Sequence, residues 1–253
     1  MANLELIKRL NQKYNKRSAF TVSTKSFSLN ESFDTRNIEA SIQNNIRALG
    51  GNYTTYFDEG RDADVVLLFI DICNFSTRFG HLNGKEISQF FDEYYDKIIP
   101  IIYRYGGEID KIIGDGIICI FGQPFIQKTL QECIKEADKC AKEIIKETYN
   151  TNKFESKIAF HFGKINYFKN KSGFYNELTV VGKPLTELFR LESISENERI
   201  NYFVKYKSYK EWNWNFELND DTLWELEEVK DIPEILKGVD YKFIQTNKYW
   251  RQK

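Results

Sequence analysis

The chain has 253 residues, 42% hydrophobic and 29% charged, which is enough apolar material for one large core and argues against wholesale disorder. Lysine and arginine number 36 against 37 aspartates and glutamates, a formal charge of −1, so no global basic field points to nucleic acid. The opening MANLELIKRLNQKYNKRSAF holds no signal peptide, and the longest apolar run, around Val65–Ile72, is far short of the roughly 20 residues that span a bilayer; the expected compartment is the cytoplasm.

Residues 1–60 are polar and rich in Asn and Ser, with Leu4, Ile7 and Leu10 at the spacing of a brief amphipathic helix. They read as an N-terminal extension that packs on the main domain or on a partner subunit, and residues 61–253 as that domain. DVVLLFIDI is a continuous apolar run of a central strand. In GKEISQFFDEYYDKIIPIIYRYGG, the positions Ile87, Phe90, Phe91, Tyr94, Tyr95, Ile98, Ile101 and Ile102 recur at helical spacing. Pro100 predicts a kink or an early stop, and Gly106-Gly107 a C-cap.

The runs Glu108–Ile113 and Ile117–Phe121 flank Asp115-Gly116, a strong hairpin signal. IQKTLQECIKEADKCAKEIIKETYN reads as a second helix with Cys133, Ala137, Cys140, Ala141, Ile144 and Ile145 on one side, its Lys- and Glu-rich face solvated. FESKIAFHFGKINYF alternates as a strand. The order strand, helix, strand, strand, helix, strand is the split βαβ, ferredoxin-like arrangement of an α+β fold. Residues 178–253 add short strands and a helix at Leu185–Ser193, with Trp212, Trp214 and Trp224 as core or interface aromatics. The four cysteines, Cys73, Cys119, Cys133 and Cys140, form no CxxC; with only His81 and His161 available, free and mostly buried thiols are expected rather than a zinc site.

In this arrangement Asp71, ending the first strand, and Asp115, at the hairpin tip, come to one edge of the sheet. Like charges that close are costly unless a cation sits between them, and hard oxygen ligands suit Mg²⁺ or Mn²⁺. The polar turn DICNFSTRFG that follows presents backbone N–H groups able to cradle phosphate. The same two residues also read as a strand cap and a turn residue.

FIDICNFS, GGEIDKIIGDGIICIFG, IAFHFG and VVGKPLTELFRLES, in that order, resemble the class III nucleotidyl cyclases, the adenylyl and guanylyl cyclase homology domain, over about Val65 to Phe243. The resemblance implies the class III cyclase fold and two metal ions, Mg²⁺ or Mn²⁺, held by Asp71, Asp115 and the Ile72 carbonyl. It puts Phe75 and Ser76 in the phosphate turn, Arg190 at the reacting phosphate, and Lys237 at the terminal phosphates. It places Lys111 and Thr179 at the base, and Thr186 where the family has the Asn that orients the ribose. It implies a homodimer with sites at the interface. The expected reaction is attack of a ribose 3′-oxygen on the α-phosphorus of a nucleoside triphosphate, giving a 3′,5′-cyclic monophosphate and pyrophosphate.

Two departures bear on substrate. Thr186 replaces Asn, and Leu188-Phe189 replaces a pair of alanines. Thr179 stands where many adenylyl cyclases of the family have Asp, and the family's guanine-reading Glu is absent. With no sensor domain in the sequence, the chain looks like the stand-alone bacterial pyrimidine cyclases of anti-phage defence (Pycsar type), which make cyclic UMP or cyclic CMP for a separate effector protein. UTP is favoured over CTP. The alternatives are a soluble adenylate cyclase and a catalytically inactive nucleotide-binding homologue. A haloacid-type phosphatase fits less well, because Asp71 lacks a second Asp two positions on. His161 reads as a packing or hydrogen-bonding residue, and His81 as a surface one.

Overall fold

The computed structural model describes residues 53–170, 177–205, 223–232 and 236–250. The predicted first helix and Trp212 and Trp214 lie outside the described residues. Among the described residues five helices and nine strands follow in the order α1 (Tyr53–Asp58), β1 (Asp62–Ile72), α2 (Phe75–Phe79), α3 (Gly84–Arg104), β2 (Glu108–Ile113), β3 (Gly116–Phe121) and α4 (Leu130–Thr148). Then come β4 (Ser156–Asn170), β5 (Glu177–Val181), α5 (Lys183–Ser193), β6 (Arg199–Val204), β7 (Trp224–Leu226), β8 (Lys230–Asp231) and β9 (Phe243–Tyr249).

All strands join one sheet of order β2-β3-β1-β4-β6-β9-β7, with β5 paired to β4 and β8 to β9. The first four, β2-β3-β1-β4, are antiparallel neighbours and make the expected split βαβ core; β6 then adds parallel to β4. β1 is central because both its faces are apolar. Val66, Leu68, Ile70 and Ile72 pack under α3 and α4, while Val65, Leu67 and Phe69 pack under α1 and α5. Each such side chain, fully buried, contributes roughly 1.5–3 kcal/mol, so β1 fixes the sheet around it.

The helix ends are set locally. Asn83 and Glu86 form a capping box at the start of α3, and Thr129 and Glu132 another at α4. Pro100 neither stops nor ends α3, which runs on to Arg104, because Ile98, Ile99, Ile101 and Ile102 around it are all buried. Gly106, at φ 83, closes the helix, and the Gly107 N–H donates to the Ile102 carbonyl at 2.9 Å. The face of α4 is less wholly solvated than its composition implies: Lys142 is buried and salt-bridged to Asp138 at 2.9 Å. All four cysteines are free and buried, as expected. α1, inside the stretch read as an extension, packs Tyr56 and Phe57 edge-on against Tyr167 of β4. Among the described residues no helix is long and apolar enough to cross a membrane.

Candidate active site

The hairpin differs from its sequence signal by one residue. Ile113 pairs with Gly116, so the two-residue loop is Gly114-Asp115 rather than Asp115-Gly116. Gly114 carries the positive φ, 60, while Asp115 does not, as in a loop with Gly at its first position. Gly116 is a strand residue, and its role is close approach: a Cβ there would meet the Phe69 ring at 2.2 Å. Asp115 is thus not needed for a left-handed backbone, and its carboxylate is free to serve another purpose.

β1 and β3 pair through Ile70 opposite Ile117, one step from Asp71. This register puts Asp71 and Asp115 at the same end of neighbouring strands, close enough that each carboxyl acts electrostatically on the other. Across the sheet Asp71 faces Lys157 of β4, whose ammonium lies 3.4 Å from its carboxylate and 2.8 Å from Glu192 at the end of α5. Burial, then Asp115, pushes the Asp71 carboxyl up from 3.8 to about 7, with Lys157 pulling the other way. Burial pushes Asp115 up as well. Burial works against the charge of Lys157, yet Glu192 and Asp71 hold its pKa above the ordinary lysine value. The cluster holds three carboxyls and one ammonium, so full ionisation leaves two uncompensated negative charges.

That deficit is what one divalent cation supplies, and it is the observation that fits a metal to this place. Among the described residues no three His, Cys, Asp or Glu side chains converge as a ligand set. A two-carboxylate half-site of this kind suits Mg²⁺, which keeps several waters and takes substrate phosphates as its remaining ligands. Ile72, buried, has a hydrocarbon side chain, so its backbone carbonyl is the one oxygen it could add.

The turn after β1 is rigidly held. Asn74 takes φ 54, and its carbonyl accepts from the N–H groups of Thr77 and Arg78. Arg78 donates to the Cys73 carbonyl at 3.2 Å and pairs with Glu155, at the foot of β4, at 2.8 Å. Half-buried Phe75 packs its ring among Phe79, Phe90 and Phe91, and Ser76 beside it is exposed.

The remaining candidates are spread over other elements. Thr186 and Arg190 lie one helical turn apart on the exposed side of α5. Next to them Phe189, 37% exposed, sits edge-on against Phe69. Lys111 is half-buried on β2 and salt-bridged to Asp110 at 3.1 Å. Thr179 is half-buried on β5 opposite Phe168 of β4. Lys237 is exposed in a turn where Gly238 takes φ 81. His161 is buried behind α5, its Nε2 3.0 Å from Glu187, and packs edge-on to Phe203 and Tyr241, a structural position as expected. His81 is exposed. Sequence reasoning missed Lys157 and Glu192. No local signal marks either of them, because they meet Asp71 only through the order of the strands.

No family model matches the chain, and no curated protein matches it. Solved structures do. The guanylyl cyclase Cya2 is 22% identical with a TM-score of 0.58, covering 74% of this chain and 92% of its own. The adenylyl cyclase CyaB from P. aeruginosa is 20% identical with a TM-score of 0.58, covering 76% and 96%. The guanylate cyclase domain of RhGC from Catenaria anguillulae, solved in complex with GTP, is 16% identical with a TM-score of 0.57, covering 76% and 100%. At these identities the likeness is one of fold: the chain has the α+β fold of adenylyl and guanylyl cyclase catalytic domains.

Proposed function

We propose that the protein is a nucleotide cyclase that converts a nucleoside triphosphate to a 3′,5′-cyclic monophosphate and pyrophosphate. One observation carries the reading: β1 and the Gly114-Asp115 turn bring Asp71 and Asp115 together with a charge deficit that a divalent ion would fill. The four ordered sequence motifs and the likeness of fold support it.

Asp71 and Asp115, with the Ile72 carbonyl, would hold Mg²⁺ or Mn²⁺, two ions in the full site. Such ions lower the pKa of an attacking hydroxyl and hold leaving-group oxygens. The backbone of Phe75 and Ser76, in the turn clamped by Arg78 and Glu155, would take phosphate oxygens. The exposed guanidinium of Arg190 would neutralise charge on the α-phosphoryl oxygens, and a donor of that kind is typically worth about 100- to 1,000-fold in rate. Lys237 would bind the terminal phosphates and Thr186 the ribose. Lys111 and Thr179 would read the base. With Thr186, Phe189 and Arg190 on an exposed helix face, a homodimer whose sites are completed across its interface is the assembly proposed.

The finer reading is a uridylate cyclase whose cyclic UMP signals to a separate effector in anti-phage defence. It rests on the sequence resemblance and on Thr179, whose hydroxyl both donates and accepts, in place of a carboxylate that only accepts. The test is incubation with Mn²⁺ or Mg²⁺ and each of ATP, GTP, CTP and UTP, the product identified by mass spectrometry. Cyclic UMP is expected, lost in a folded Asp115→Ala variant. Cyclic AMP alone would overturn the pyrimidine reading, and no cyclic product from any substrate would overturn the cyclase reading.

A further inference from the structure

The carboxylate pair already has a cation inside the protein. Lys157 is the direct cross-strand partner of Asp71, and its ammonium is shared between Asp71 at 3.4 Å and Glu192 at 2.8 Å. All three side chains are largely buried, at 17%, 16% and 20% exposure, so their attraction is poorly screened by water. Glu192 belongs to α5, the helix that bears Thr186 and Arg190 on its exposed side. Lys157 therefore joins the carboxylate pair to that helix, and it occupies a carboxylate that a metal would need.

We propose that Lys157 is a built-in competitor for the divalent ion: it neutralises Asp71 when no metal is bound, and Glu192 keeps it when the metal takes Asp71. Glu192 is then a positioning residue, acting through Lys157 rather than as a ligand. The inference rests on the metal-site reading above. Two consequences distinguish it from simple structural pairing. Removing the ammonium strengthens metal binding, because a like charge a few ångströms from a divalent ion is gone. Removing Glu192 weakens metal binding, but only while Lys157 is present to fall back on Asp71.

The experiment titrates Mn²⁺ into the purified full chain and reads free Mn²⁺ by electron paramagnetic resonance, with thermal melts to verify folding of each variant. Lys157→Met should bind Mn²⁺ about tenfold more tightly than wild type, the order expected for a single charge in a half-solvated site. Lys157→Arg, which keeps the charge, should stay close to wild type. Glu192→Gln should bind several-fold more weakly, and the same change made in Lys157→Met should have no effect. Unchanged or weaker affinity in Lys157→Met overturns the proposal, as does an equal effect of Glu192→Gln in both backgrounds. Should Lys157→Met not fold, Glu192→Gln and Lys157→Arg decide, and wild-type affinity in Glu192→Gln overturns it. Absence of Mn²⁺ binding by wild type overturns the metal-site reading itself and this inference with it.

Discussion

Raising the pH should destabilise the metal-free protein, and Asp71 sets the size of the effect. Its carboxyl lies at about 7 instead of 3.8, through burial and the neighbouring Asp115. A carboxyl whose pKa is higher in the folded than in the unfolded chain gives stability that is complete below about pH 4 and is lost as the pH rises to about 7. At about 1.36 kcal/mol per pKa unit the shift bounds the loss at about 4 kcal/mol. Partial solvent access at the end of β1, the nearby Lys157 ammonium and the coupling to Asp115 bring the expected loss down to about 1–2 kcal/mol. The measurement is urea denaturation in EDTA at about pH 5 and about pH 8, for wild type and Asp71→Asn. Asn cannot ionise, so the stability of the variant relative to wild type should rise by about 1 kcal/mol between the two conditions, the part of the loss that lies above about pH 5. Mg²⁺ at the higher pH should restore wild type and leave the variant where it was. A difference that does not change with pH, or falls, would refute the reasoning; it would mean that Lys157 offsets burial and Asp115 as well as pairing with Asp71.

Two further outcomes test the scaffold of the site. Gly116→Ala should cost about 1–3 kcal/mol, because the new Cβ meets the Phe69 ring beside the Asp115 turn; a melt within about 1 °C of wild type would show that the ring can move aside at no cost. His161→Leu and Glu187→Leu should each destabilise by about 1–3 kcal/mol, since each removes one partner of a buried hydrogen bond, the Glu187→Leu loss being the larger because Glu187 without His161 keeps Lys183 at 3.6 Å, and the double variant should recover part of that loss; additive losses in denaturant titrations would contradict the pairing.

The sheet was legible because its centre is extreme. β1 is apolar at every position from Val65 to Ile70, and only a strand covered on both faces tolerates that. The helices flanking it announce themselves by period and by capping boxes. Asp71 and Asp115 were legible for the same reason: a carboxylate closing a fully buried strand and another in a hairpin turn must share an edge once that strand is central. The turn itself was misread by one residue. Asp-Gly is the stronger local signal, but register is fixed by long-range pairing, Ile70 to Ile117, and by the need for a residue without a side chain against Phe69.

Lys157 and Glu192 were illegible for a deeper reason. Neither belongs to a local pattern: one opens β4, the other ends α5, and they meet Asp71 only because β4 lies on the opposite side of β1 from the hairpin. Motifs report residues that contact substrate, since substrate geometry constrains their spacing. Charges that balance those residues answer only to the fold, and any element that passes within a few ångströms can supply them. The carboxylate pair predicts that a compensating cation exists; the sheet order decides that the protein supplies one itself, a lysine tethered to the helix carrying Arg190, and under the proposed reading the same ion pair would set both the affinity for metal and the placement of that helix.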